Sequence, residues 1–152
     1  LIEEGAVEVI MRRLMPLARV ITPNIPEAEI LAGCSISGED VFDEIARKLS
    51  GNTGVSVLLK AGHLSGDSLV DYFYNAEDGT MTKLPSKRVH TRNTHGTGCT
   101  LSSAFAAALA KGEELTAAAV SAKKYIEQAI ISGADYEIGA GHGPVNHFWS
   151  IG

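Results

Sequence analysis

Thr94, His95, Gly96, Thr97, Gly98, Cys99 and Thr100 follow one another without interruption, and a run of small residues, 101–109, comes directly after them. A turn of this composition suits an anion. Gly96 and Gly98 lack a Cβ, so the backbone can approach a bound group closely, and the first N–H groups of a helix starting here have no intrahelical acceptor. Those donors and the positive end of the helix dipole converge on one point, which favours a phosphate in transfer. A Gly-x-Gly by itself would equally serve a tight turn and close helix packing. Cys99 adds a thiol at the helix N-terminus, where a thiolate is favoured, although such a cysteine also serves as a small buried hydrophobe.

Three further strings bear on chemistry: Thr22-Pro23-Asn24-Ile25-Pro26-Glu27-Ala28-Glu29, Lys60-Ala61-Gly62-His63 and Gly141-His142-Gly143-Pro144-Val145-Asn146-His147-Phe148. Taken in order with residues 93–100, they resemble the ribokinase-like small-molecule kinases, and most closely the hydroxymethylpyrimidine and phosphomethylpyrimidine kinases of thiamine biosynthesis. The resemblance covers the C-terminal half to three-fifths of such a kinase. It implies an α/β, three-layer αβα fold with a mostly parallel sheet, incomplete on its N-terminal side, in which residues 1–152 are part of one kinase domain. It also implies ATP and Mg2+ as cofactors and a small pyrimidine as substrate.

By the same resemblance, Gly96, Thr97, Gly98 and Cys99 hold the transferred phosphoryl group, with Thr94 beside them on the nucleotide. Many ribokinase-like enzymes carry an aspartate base where Cys99 stands. The pyrimidine kinases carry cysteine there, and the thiol is open to two roles, base or positioner of the attacking hydroxyl. Asn24 and Glu27 match the Asn-x-x-Glu motif that organises magnesium, often through water; read alone, Glu27 is a first-turn acid favourable to a helix dipole. Glu29 is expected to be a neighbour of that site. Lys60 ends an apolar strand, where it either reaches nucleotide phosphates or snorkels from the sheet edge. His63 and His95 read as loop and turn residues, and the glycine-rich tail as a structural closure of the domain.

Pyridoxal or pyridoxine kinase is the alternative within this fold, and a catalytically inactive fragment is another. A cysteine hydrolase pairing Cys99 with His95 or His63 lacks an orienting third group and any local protease-like string. The adenine site is expected between residues 87–92 and the helix carrying 118–124.

Composition narrows the field. The 152 residues are 45% hydrophobic and 20% charged, with net charge −5, which is the content of a globular unit with a core. Basic residues are scattered apart from a mild cluster at Lys83, Lys87, Arg88 and Arg92, so nucleic-acid binding is disfavoured. No apolar run reaches the ~18 residues of a membrane span, and the first residues lack signal-peptide character, so a cytoplasmic location is expected. Cys34 and Cys99, the two cysteines, have neither metal-like nor disulfide-framework spacing. The chain opens on Leu1 inside a helix-like pattern, so a longer polypeptide is expected, with a complementing N-terminal half or a homo-oligomer as its partner.

The elements that position these groups follow from periodicity. Ile2, Ala6, Val9, Ile10 and Leu14 mark an amphipathic helix over 2–15, packed on one side. A strand over 18–22 leads to a helix from Pro26 to Ala32 that ends at Gly33. Val41, Phe42, Ile45 and Leu49 share the face of a second helix, preceded by Ser37. The β-branched, apolar run 55–60 reads as a parallel strand covered on both faces, and 69–74 with 80–84 as a hairpin. Helices over 99–111 and 116–132 complete the pattern, divided by Gly112.

Overall fold

The computed structural model describes residues 4–60 and 67–151, the side chains of Glu4 and Asn52 excepted. Ile2, Ala61, Gly62 and His63 lie outside the described residues. The chain forms two compact units, Leu1–Pro85 and Ser86–Gly152.

The first unit is a sheet with helices packed on it. It contains α1 (Glu4–Val9), β1 (Val20–Ile21), α2 (Ile25–Ala32), α3 (Phe42–Ser50), β2 (Ser56–Leu59), β3 (Ser68–Asn75) and most of β4 (Thr80–Lys87). Sheet order is β1-β2-β3-β4. β1 and β2 run parallel with Val20 opposite Ser56 and Ile21 opposite Val57, whereas β2 and β3 are antiparallel with Leu58 opposite Phe73. The parallel pairing follows from the helical crossover between β1 and β2, and β3 and β4 are joined by the hairpin turn the sequence marks. Within these four strands the sheet is therefore mixed.

Every residue of β2 is buried, as its apolar run predicts. Val57 and Leu59 face a core made with Phe42, Ile45 and Leu49 of α3 and Ala28 of α2. The 3.6-residue period of α3 and the two-residue period of β2 produce that shared surface. Tyr72 of β3 meets the Phe42 ring edge-on at 4.9 Å, and its hydroxyl donates to Glu39 Oε2 at 2.7 Å. Burial, then the hydrogen bond and charge of Glu39, push the Tyr72 phenol up to about 12. Pro85 lies in β4 at the sheet's edge, where a missing backbone donor is tolerated.

One expectation fails in this unit. Residues 2–15 do not form one helix packed on one side: α1 ends at Val9, a π-helical turn spans Ile10–Leu14 and a 3-10 turn spans Met15–Leu17. Val9 and Leu14, expected on the packed face, are 53% and 59% exposed, and Met15 carries the burial instead. Pro16 cannot donate to the helical ladder, so the regular period is lost before the face can be completed.

The second unit centres on α4 (Thr97–Ala110) and α5 (Leu115–Ser132), which pack closely against one another across a short connection. Leu101 and Phe105 of α4 and Leu115, Ala118, Ala122 and Ile126 of α5 are buried. The alanines on α5 let the helices approach closely. The tail after α5 folds back as a closure: Asn146 N–H donates to Ala129 O at 2.9 Å, and the Tyr125 hydroxyl donates to His147 O at 2.7 Å.

Candidate functional site

In the second unit the glycine turn opens α4 as expected. Gly96 sits at the N-cap with φ +83°, a left-handed conformation that a side chain resists, and no side chain caps the helix. The first-turn N–H groups at Gly98 and Cys99 have no i−4 acceptor within α4 and remain available to a ligand. Thr97 holds the turn from behind, its Oγ1 donating to Thr94 O at 2.6 Å and its N–H at 3.3 Å. Thr94 and Cys99 are exposed, while Thr100 is buried with its Oγ1 2.9 Å from His147 Nε2. The tail thus reaches the first turn of α4. His95 is tied through its backbone, donating to Gly143 O at 3.0 Å within a parallel bridge to Pro144.

A cleft of about 560 Å³ begins at this turn and runs along the helix pair. Cys99, Ser103 and Ala107 of α4 and Lys111 at its C-cap line it at four-residue intervals, facing Ser121 and Tyr125 of α5. Its volume lies within the usual range for small-molecule pockets. Ser121 belongs to the stretch expected near adenine, whereas none of the described lining residues comes from 87–92. Sequence reading did not single out Lys111, Tyr125 or His147 as lining residues of this cleft. The four-residue spacing from Cys99 to Lys111 was a usable signal for the first of these; the other two depend on how the tail and α5 pack.

In the first unit the structure brings Asn24, Glu27 and Lys60 to one end of the parallel pair. Asn24 and Lys60 form a parallel bridge just beyond β1 and β2, and Lys60 N–H donates to Pro23 O at 2.9 Å. This is the C-terminal end of both strands, where open α/β sheets place ligands. Asn24 and Glu27 form a reciprocal capping box on α2: Asn24 Oδ1 accepts from Glu27 N at 2.9 Å, and Glu27 Oε2 accepts from Asn24 N at 2.8 Å. The box fixes an exposed carboxylate at the strand end, and Asn24 acts as its holder. Glu29 is occupied elsewhere, accepting from Ile36 N–H at 2.8 Å. A single carboxylate of this kind suits a cation held largely by water and phosphate, as magnesium is. Among the described residues, no group of three or more His, Cys, Asp or Glu is gathered as a protein cage for a metal.

Residues 1–146 match the family model described as phosphomethylpyrimidine kinase. The hydroxymethylpyrimidine/phosphomethylpyrimidine kinase of Rhizobium meliloti is 45% identical over 151 residues, which cover 97% of this chain and 55% of that protein. Among solved structures, pyridoxal kinase of Bacillus subtilis in an ADP complex is 35% identical with a TM-score of 0.85, covering 95% of this chain and 54% of that one. Phosphomethylpyrimidine kinase of Clostridium difficile is 37% identical with a TM-score of 0.70, covering 86% and 51%. The chain therefore spans about half the length of the curated relatives it matches. These likenesses give it a ribokinase-like α/β fold, and with the glycine turn, the Asn24–Glu27 box and the strand-end lysine in place, the chain belongs to the phosphomethylpyrimidine kinase family.

Proposed function

We propose that the protein carrying this chain transfers the γ-phosphoryl group of Mg·ATP to 4-amino-5-hydroxymethyl-2-methylpyrimidine and then to its monophosphate. The observation that carries this reading is the uncapped start of α4 behind Gly96, with an exposed Cys99 beside a ligand-sized cleft. The N–H groups of Gly98 and Cys99 stabilise charge on the phosphoryl group as it passes between oxygens, and their fixed direction avoids reorganisation in the transition state. Cys99 orients the attacking oxygen or accepts its proton. Lys60 pairs with phosphate charge, and Thr94 lies beside the nucleotide. Glu27, held by Asn24, carries magnesium through water, and bound magnesium neutralises the triphosphate.

Residues 1–152 supply the C-terminal part of one kinase domain, and the rest of the pyrimidine pocket comes from a complementing N-terminal half or a second copy. The enzyme works in the cytoplasm, where ATP is supplied; no helix among the described residues is long and apolar enough to cross a membrane. The likeness to pyridoxal kinase favours pyridoxal as a second acceptor to test. The family match and the Gly96-Thr97-Gly98-Cys99 turn favour the pyrimidine. Steady-state turnover by the full-length protein with each acceptor separates them. A kcat/KM at least about 10-fold higher for the pyrimidine or its monophosphate is expected, and a preference for pyridoxal would overturn the assignment.

A further inference from the structure

Asn93 is 1% exposed, and its amide serves more acceptors than it has protons. Its Nδ2 faces Gly133 O at 2.8 Å, Ala134 O at 3.2 Å and Tyr136 O at 2.8 Å. Its Oδ1 is buried without a partner among the described residues. That oxygen is turned toward Gly143, where an added Cβ would overlap it, so the close approach requires glycine. Neighbouring bonds tighten the same junction. Thr91 Oγ1 donates to Ala134 O at 2.7 Å and accepts from Asn93 N at 3.1 Å, while His95 N–H donates to Gly143 O at 3.0 Å. Residues on both sides of Asn93 are thereby fastened to the segment that follows α5.

We propose that Asn93 is a positioning residue for phosphoryl transfer, its buried amide fixing the backbone that enters Gly96 and so the direction of the Gly98 and Cys99 N–H groups. This rests on the phosphate-binding reading of that turn. The arrangement leaves a polar atom unpaired in the interior, a cost that a merely apolar plug would avoid. What the amide does that an apolar group cannot is draw three carbonyls to one point and hold the turn against them. Transfer rates are sensitive to such placement, because a shift of about 1 Å in positioned groups can cost about 100-fold.

Asn93→Asp preserves the shape and puts an oxygen against the three carbonyls. Thr91→Val preserves shape at a partly exposed position and removes one tie to the same segment. In the full-length protein, Asn93→Asp should lower kcat per folded molecule by about 10- to 100-fold with the acceptor KM within about twofold. Thr91→Val removes the bond to Ala134 O and the acceptor of Asn93 N–H, and should lower kcat by about 5-fold. Both should reduce the amide chemical-shift changes at Gly98 and Cys99 when Mg·AMP-PCP is added. A purely structural role would lower the folded fraction and leave kcat per folded molecule and those shifts unchanged, which would overturn the proposal. If Asn93→Asp does not fold, wild-type kcat and shifts in Thr91→Val overturn it equally. Absence of any shift at Gly98 and Cys99 in the wild type would instead sink the phosphate reading of the turn, and this inference with it.

Discussion

Cys99 and Glu27 are the side chains whose chemistry can be tested most directly. Cys99 is exposed at the mouth of the cleft, so its replacement removes a thiol without emptying a core site. Cys99→Ala is expected to lower kcat by about 100-fold or more while ATP affinity stays within about twofold, as measured by turnover and equilibrium binding. Wild-type turnover in that variant would remove the cysteine from the mechanism. Glu27→Gln keeps the size of the side chain and takes away its charge. The magnesium concentration needed for half-maximal rate should rise by about 10-fold, read from a magnesium titration at fixed ATP. The types and spacing of both residues were legible in sequence. The capping box was not read from Asn24 and Glu27, although it uses the same Asn-x-x-Glu spacing as the expected magnesium motif.

The proposed functional groups lie at helix starts and strand ends, so predictions about elements concern local geometry. Gly96 holds φ +83° at the N-cap of α4, and Gly96→Ala should cost about 1 kcal/mol in unfolding free energy and reduce turnover together. Retained activity in a destabilised variant would separate the turn's conformation from catalysis. The Tyr72–Glu39 bond ties β3 to the turn before α3, and it has a pH signature. Burial and the bond to Glu39 push the Tyr72 phenol from an ordinary 10.0 up to about 12, so the folded state holds its proton more tightly. Its contribution to stability is present below pH 10 and is lost as pH rises through about 12. The thermal midpoint of wild type should fall more steeply across that window than that of Tyr72→Phe, which lacks the titrating group. Element positions in the middle of the chain were readable because α3 repeats at helical spacing and β2 is uniformly apolar. The first helix was not, because Pro16 and a π-turn interrupt a pattern that continues in sequence.

At the scale of the molecule, the governing fact is that the chain spans 55% of a relative 45% identical to it. β1 stands first in the sheet order and pairs with β2 alone among the described strands, so its other edge is free to pair. Exposed strand edges invite association. The isolated 152 residues are expected to self-associate and to turn over ATP negligibly beside the full-length protein, as size-exclusion chromatography and a coupled kinase assay would register. Robust turnover by the isolated chain would mean that both halves of the reaction reside here, contrary to the proposal.

The sequence by itself determined the family and the order of the elements after residue 18, and it singled out the candidate site residues, because glycine turns, strand-end lysines and helix periods are local features. It also placed Asn24 and Lys60 at strand ends before their pairing was visible. Tertiary structure decided what those local features lean on: the bridge between Asn24 and Lys60, the tail that brings His147 to Thr100, and the burial of Asn93 against three carbonyls. Each of these joins residues far apart in the chain. No periodicity or composition records such a contact, because it is fixed by how packed helices and strands bring distant backbone groups within hydrogen-bonding distance.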